Sequence, residues 1–183
     1  MVDDLAHDPR LLWLLARVDK QCVEAVEELL RFIAEHLAIA TSDAVTVRVL
    51  SEDRQSLLPL AAHHPEPMIA SAMASIMSET TQPADSGLWL PVMQERKPRR
   101  WRMPRGYVPA EASEQQAAFL EKFPIRAVLG VPILLDDRLI GGVSVVRFAV
   151  DREFTDQDEA LVVACASRIA PALEFRSRLK EAQ

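Results

Sequence analysis

The residues best equipped for chemistry cluster between positions 63 and 126. His63 and His64 form an adjacent pair with Glu66 close behind. Neighbours on a strand point to opposite faces, so both could hold one metal only where the strand has already ended. One reading makes one of them, with Glu66, a polar contact in a pocket or a haem ligand. The other makes them a solvated strand end whose turn is fixed by Pro65 and Pro67. Arg96, Lys97, Arg99, Arg100, Arg102 and Arg105 put six positive charges into ten residues, around Trp101. Such a run suits an anionic ligand, a phosphate-bearing metabolite or a partner surface. It also suits a charge-protected edge strand, with Arg100 and Arg102 towards solvent and Trp101 inward. Trp89, Trp101, Tyr107 and Phe119 supply most of the aromatic area between positions 80 and 122, and would either line an apolar cavity or fill a core. Met68, Met73 and Met77 read as adaptable core filler.

Several kinds of chemistry find no residues to carry them. No Gly-rich phosphate loop follows a strand, no Ser/His/acid set has workable spacing, and no metal quartet is present. The Asp-Glu pairs fall at helix starts, where capping and the helix dipole account for them. Cys22 and Cys165 share neither metal nor redox spacing, so they read as reduced packing thiols. The formal net charge of -6 argues against a general nucleic-acid binder. The acidic start, MVDDLAHDPR, fits neither a signal nor a transit peptide, and no apolar stretch approaches the ~18 residues a membrane span needs. These features predict a cytoplasmic protein without membrane or nucleic-acid partners.

The elements that must position these residues follow from pattern. Asp8-Pro9 predicts a helix start, and a long amphipathic helix runs to Ala40, with Cys22, Val26, Leu29, Leu30, Ile33 and Leu37 as its apolar face. A helix of that length also invites pairing with a second copy. Residues 44–50 alternate, with Val45, Val47 and Val49 on one side and Thr46 and Arg48 on the other, the period of a half-buried strand. Residues 57–63 form its hairpin partner, where Pro59 predicts an edge or a bulge. Residues 68–79 read as a helix with Ile69, Ala72, Met73 and Ile76 on one side. Pro91 opens a short helix, 99–103 a brief strand and Ala110 a helix to Lys122. Residues 126–135 and 138–148 form a hairpin turning on Asp136-Asp137, and Gly141-Gly142 marks a bulge or a close approach. Thr155 to Asp158 has the form of a capping box opening a last helix, with Leu161, Cys165, Ile169, Ala172 and Leu173 as a stripe. The order predicts an α+β fold.

Specific residues at the joints resemble those of a GAF domain over roughly residues 20–178. They are Val-Pro-Ile-Leu-Leu (131–135), the short turn, Leu-Ile-Gly-Gly-Val (139–143), and Phe154-Thr155 with Asp158-Glu159 opening the last helix. Asp43-Ala44-Val45 and Gly87 before a short helix ending at Lys97-Pro98 also match. The resemblance implies a central antiparallel sheet of five to six strands. It places the terminal helices on one face and the ligand-pocket helices and loops on the other. Residues 1–19 would be a helical extension and 179–183 the start of a signalling helix or tail. The implied role is non-catalytic sensing. A small molecule in the pocket would act through a homodimer of N- and C-terminal helices on an output module such as a histidine kinase, cyclase or transcription regulator. The candidate pocket residues are His63, His64, Trp89, Trp101, Arg102, Tyr107, Phe119 and Arg126.

Known specialisations of such domains are testable against the residues. Cyclic-nucleotide-binding members pair Phe-x-x-x-Asp-Glu with an Asn-Lys pair on the preceding strand. Here Phe154, Asp158 and Glu159 fit, but the strand ends Val145-Val146-Arg147 and the chain contains no Asn, so cyclic nucleotide is not expected. Covalent bilin needs a cysteine near the pocket, and the free methionine-R-sulfoxide reductases of this family need several thiols there. With both cysteines on the terminal helices, neither is expected. The alternatives are a dimerisation scaffold whose pocket is filled by Trp89, Trp101 and Phe119, and a haem sensor using His63 or His64.

Overall fold

A computed structural model describes residues 9–71, 80–148 and 150–181. In chain order the elements are α1 (Pro9–Thr41), β1 (Ala44–Leu50), β2 (Ser56–His63), α2 (67–71), β3 (Gln82–Pro83), α3 (Trp89–Glu95), β4 (Arg99–Arg102), α4 (Glu114–Lys122), β5 (Ala127–Leu135), β6 (Arg138–Arg147) and α5 (Asp156–Glu181). The six strands form one sheet in the order β3-β2-β1-β6-β5-β4. Every pairing is antiparallel. This is the α+β arrangement expected, with α1 and α5 on one face and α3 and α4 on the other.

The face under α1 and α5 is a continuous apolar core. Strand alternation sends Val45 and Val47, Leu129, Val131 and Ile133, and Val143 and Val145 to that side. There they meet Val26, Leu30, Ala34 and Leu37 of α1 and Val162, Ala166, Ile169 and Leu173 of α5. Of the stripe expected on α5, Ile169 and Leu173 are buried and Cys165 and Ala172 pack at the core's edge, but in the first turns Val162 is buried while Leu161 is 40% exposed. Pro171 sits inside α5, where its missing N–H leaves a gap in the helical ladder.

α1 is unbroken through Asp19-Lys20, and its 33 residues span about 50 Å. Its single expected apolar face is in fact two. Besides the buried side, Leu15, Val18, Leu29, Phe32 and Ile39 form a row exposed by 43% to 57%. Cys22, Ala25 and His36 fall on the same row, giving spacings of three and four from Leu15 to Ile39. The Asp8 cap, most of the helix expected over 68–79, and Met73 and Met77 lie outside the described residues. Met68 is 82% exposed and is not core filler.

Three joints behave as their residues dictate. Asp136 and Asp137 both adopt positive φ, 48° and 62°, making the two-residue turn that matches the twist of a hairpin. Opposite Pro59 the β1–β2 register shifts between Val47 and Arg48, and β3 pairs only with Ser56 and Leu57, so no ladder bond is asked of the proline. At the start of α5, Thr155 Oγ1 accepts from the Asp158 N–H at 3.1 Å and Asp158 Oδ2 accepts from the Thr155 N–H at 2.8 Å, the reciprocal pair of a capping box.

Two boundaries differ from expectation. α3 starts two residues before Pro91, at Trp89. α4 starts at Glu114 rather than Ala110, because Ser113 rather than an earlier residue supplies the cap. A larger correction concerns Thr46 and Arg48. Both are buried, at 2% exposure, because the face they point to is roofed by the second helical layer rather than open to water.

Candidate ligand-binding site

Between the sheet and α4 lies a cavity of about 350 Å³. Its floor is the second face of β1, β6 and β5, contributed by Arg48, Ser144, Val146, Val128 and Gly130. Trp89 of α3 and Trp101 of β4 form side walls, and Phe119, Leu120 and Phe123 come down from α4 and the residue that ends it. Most of this lining is apolar, the usual make-up of a small-molecule pocket.

Gly142 explains how an indole can lie on the sheet. A Cβ there would come within 2.5 Å of Trp89 Cζ3, so only a bare Cα leaves room for the ring. Both alternatives read from Gly141-Gly142 occur: the close approach at the glycines themselves, and a bulge beside Gly141, where the β5–β6 register shifts between Ile133 and Leu134 and skips Ile140.

Gln116 ties the roof down, with Gln115 accepting from Gln82 Nε2 beside it at 3.4 Å. Within a capping box its Oε1 accepts from the Ser113 N–H at 3.1 Å, and the same atom accepts from the Leu88 N–H at 2.8 Å. Its Nε2 donates to Gln82 Oε1 at 3.0 Å. One glutamine thus joins α4, the loop before α3 and strand β3. Gly87, at φ 66°, passes so close that a Cβ would sit 2.3 Å from Gln116 Oε1.

Arg48 is the charged group of the floor. Its Nη1 donates to the Thr80 carbonyl at 2.6 Å and to the Leu57 carbonyl at 3.3 Å. Burial pulls its pKa down to about 10, still far above neutrality, so the guanidinium carries its charge. Beside it on the sheet, Ser144 shares a 2.7 Å hydrogen bond with Thr46.

The sequence-selected residues separate into two groups. Trp89, Trp101 and Phe119 line the cavity. His63, His64, Arg102, Tyr107 and Arg126 do not. His63 ends β2 opposite Val45. His64 is buried edge-on to Phe148, its Nδ1 accepting from the Glu66 N–H at 2.9 Å. Arg102 faces solvent opposite Glu153 and Asp151, at 3.4 and 3.9 Å. Tyr107 is 51% exposed in a turn closed on the Pro104 carbonyl. Arg126 works through its backbone, donating to the Arg147 carbonyl and accepting from the Met103 N–H. Arg48, Ser144, Gln82 and Gln116 were missed. Arg48 reads as outward-facing because it alternates with valines, and Ser113-x-x-Gln116 is a capping-box pattern that could have flagged the glutamine.

The arginine run is an edge strand held by carboxylates. Arg99 pairs with Glu95, and Arg100 reaches over to α5, donating to Glu159 at 2.6 Å and Asp156 at 2.7 Å. The Phe154–Glu159 motif is likewise absorbed by structure. Arg147 stacks over the Phe154 ring at 4.1 Å and forms a buried bidentate pair with Asp43. Its Nη1 donates to the Arg152 and Glu153 carbonyls. Asp158 caps, and Glu159 holds Arg100. Among the described residues no cluster of His, Cys, Asp and Glu could hold a metal ion. Cys22 and Cys165 sit on α1 and α5, away from the cavity lining, and burial pushes the Cys165 thiol above its ordinary value, which makes it a poor nucleophile.

A family model described as GAF domain matches residues 23–174. The fold is similar to that of the GAF domain/HD domain protein from Geobacter sulfurreducens, with 16% identity, a TM-score of 0.68 and coverage of 83% of this chain and 94% of that one. It is also similar to the GAF domain of a phosphoenolpyruvate-protein phosphotransferase from Coxiella burnetii, at 18% identity and TM-score 0.68, over 93% and 96% of the two chains. Residues 122 to 287 of a methyl-accepting chemotaxis protein superpose with TM-score 0.66 at 19% identity, over 91% and 98%. Comparison with curated protein sequences gives no match. The family match spans the whole sheet and both helical layers, and the chain belongs to the GAF domain family, with the general regulatory and sensory role of such domains.

Proposed function

We propose that this chain senses a small molecule in the cavity beneath α4 and passes its presence to α1 and α5, through which two copies pair. The observation that carries the proposal is the open volume of about 350 Å³, walled by aromatics and floored by a buried arginine. A scaffold with its pocket filled by Trp89, Trp101 and Phe119 is the rival reading. Those three side chains stand around the volume without filling it, which favours sensing. The haem reading gains nothing from the geometry, since neither histidine reaches the cavity.

β4 offers a physical link between the two sides. Trp101 stands on the cavity wall, while its neighbour Arg100 grips Asp156 and Glu159 at the start of α5. A ligand that displaces the indole would therefore load the first turn of the output helix. The pairing surface is the exposed row on α1, whose three-and-four spacing from Leu15 to Ile39 is that of a two-helix seam. In this reading residues 20–178 form the sensory unit, 1–19 extend the seam, and 179–183 lead towards a kinase, cyclase or transcription regulator. We place it in the cytoplasm, in keeping with its free thiols. No helix among the described residues is long and apolar enough to cross a membrane.

Native mass spectrometry of the protein purified from cells tests both parts. The expected result is a dimer carrying a small extra mass that is lost on denaturation. Replacing Leu29 and Phe32 together by Glu should yield a folded monomer whose Tm no longer rises with protein concentration. A wild-type monomer with no cavity ligand, even after a metabolite screen, would contradict the proposal.

A further inference from the structure

Resting on the pairing proposal, we infer that a second copy of this chain lies parallel and in register along α1, Cys22 against the partner's Cys22 and His36 against the partner's His36. The exposed row keeps a strict heptad. Leu15, Cys22, Leu29 and His36 stand seven residues apart, and Val18, Ala25, Phe32 and Ile39 follow each of them by three. These are the a and d positions of a two-stranded coiled coil, held over about 36 Å of helix without a break.

Polarity selects the direction. His36 is the most polar side chain of the row; its ring stacks on Phe32 and its Nδ1 donates to the Phe32 carbonyl at 2.9 Å. A parallel pair sets each a residue against its own copy, so the two imidazoles share one layer, where a water can bridge them. In an antiparallel pair a faces d, and full overlap of the row sets His36 against the partner's Val18 at both ends of the seam. A lone polar group at an a position also fixes the register, because any slip buries it against an apolar residue.

Charge selects the same way. Glu28 and Glu35 occupy the g position beside the seam. Parallel pairing places g against the partner's e residue five further on, so Glu28 meets the partner's Ile33 and Glu35 the partner's Ala40. Antiparallel pairing brings g against g, so Glu28 meets the partner's Glu28 and the two repel.

The orientation decides where the signal leaves. Asp43, just past α1, pairs with Arg147, which holds the Arg152 and Glu153 carbonyls before α5. At the other end Arg176 donates to Glu27 Oε1 at 2.8 Å. α5 therefore runs antiparallel to α1. Two parallel copies send both α5 helices out at one end, beside the first turns of the α1 pair. An antiparallel dimer would send them out at opposite ends, where a single two-fold output module could not receive both.

The test uses the full chain with Cys165→Ala, which leaves Cys22 as the sole thiol. Oxidation by copper(II)-phenanthroline takes two protons and two electrons from a facing thiol pair and leaves a disulfide, read on a non-reducing gel. The expected result is a linked dimer that dithiothreitol reverses. It should form at least tenfold faster than from the same chain with Cys22→Ser and Glu24→Cys, whose thiol lies off the seam. A mixture with a longer, tagged chain carrying Cys22→Ser and Phe32→Cys should give no mixed link, since that is the antiparallel contact. A mixed link without the Cys22 link would overturn the parallel register and leave pairing through α1 intact. A native dimer with neither link, or with equal rates at Cys22 and Glu24→Cys, would overturn the inference and place the pairing surface off α1. A monomer at every concentration would overturn both readings.

Discussion

The two faces of the sheet are built from the same strands and come out differently. Under α1 and α5 the strands send in almost only aliphatic side chains, with Phe154 and the buried Arg147–Asp43 pair at one end of the layer. Under α3 and α4, the strands offer Arg48, Thr46, Ser144, Gly130 and Gly142, and the layer above them holds a cavity. The first face is optimised for packing. The second gives up packing density around a charged, hydrogen-bonding floor. Burying such groups is costly unless they are bonded, and here Arg48 is held by the Thr80 and Leu57 carbonyls and Ser144 by Thr46, so the polar floor is stable beside the cavity.

Mutations at matched positions should break or sharpen this contrast. The largest effect is expected at the pin that ties the turn between α1 and β1 to the end of β6 and the segment before α5: Asp43→Ala leaves Arg147 buried without its carboxylate and should cost roughly 3–5 kcal/mol in urea unfolding. On the packed face, Leu129→Ala should cost about 2–5 kcal/mol, since Leu129 is wholly buried. Leu120→Ala, on the cavity roof, should cost well under half of that, because the side chain already borders empty space. Equal losses at Leu129 and Leu120 would mean that the cavity is closed in solution. Gly142→Ala drives a methyl into Trp89 and should cost about 1–3 kcal/mol while shifting the tryptophan emission.

The smallest effect concerns the outer side of α5. Hydrogen bonding from Arg138, and then from Arg178, holds the Glu174 carboxyl below its ordinary value. A depressed carboxyl pKa stabilises the fold above the ordinary glutamate value of about 4.3 and loses that contribution as pH falls below it. Glu174→Gln should therefore lower Tm slightly at pH 7, and the difference from the unsubstituted protein should disappear as the pH falls towards 3.

The packed face was the legible one. Its strands announce themselves by alternation, its hairpin by Asp136-Asp137, and its last helix by Thr155 and Asp158, all local signals. The cavity face was harder because its meaning is relational. Arg48 between valines looks like the wet side of a half-buried strand until a second layer is known to cover it. Trp89, Trp101 and Phe119 were visible as aromatic area in an irregular stretch, and they line the cavity. The histidines and the arginine run drew notice by residue type alone. In the structure His64 serves a turn, and the arginines hold carboxylates at the sheet edge. α1 hid a second apolar side because a helix that is apolar on most of its circumference gives no sign of which part meets its own sheet.

The most direct test of the central claim is hydrogen–deuterium exchange with and without the small molecule that native mass spectrometry or the metabolite screen identifies. The account predicts slower exchange in α4 and around Leu88, and a further change in the first turns of α5, relayed through Trp101 and Arg100. Protection confined to the surface of α1, with α4 and the start of α5 unaffected, would contradict it.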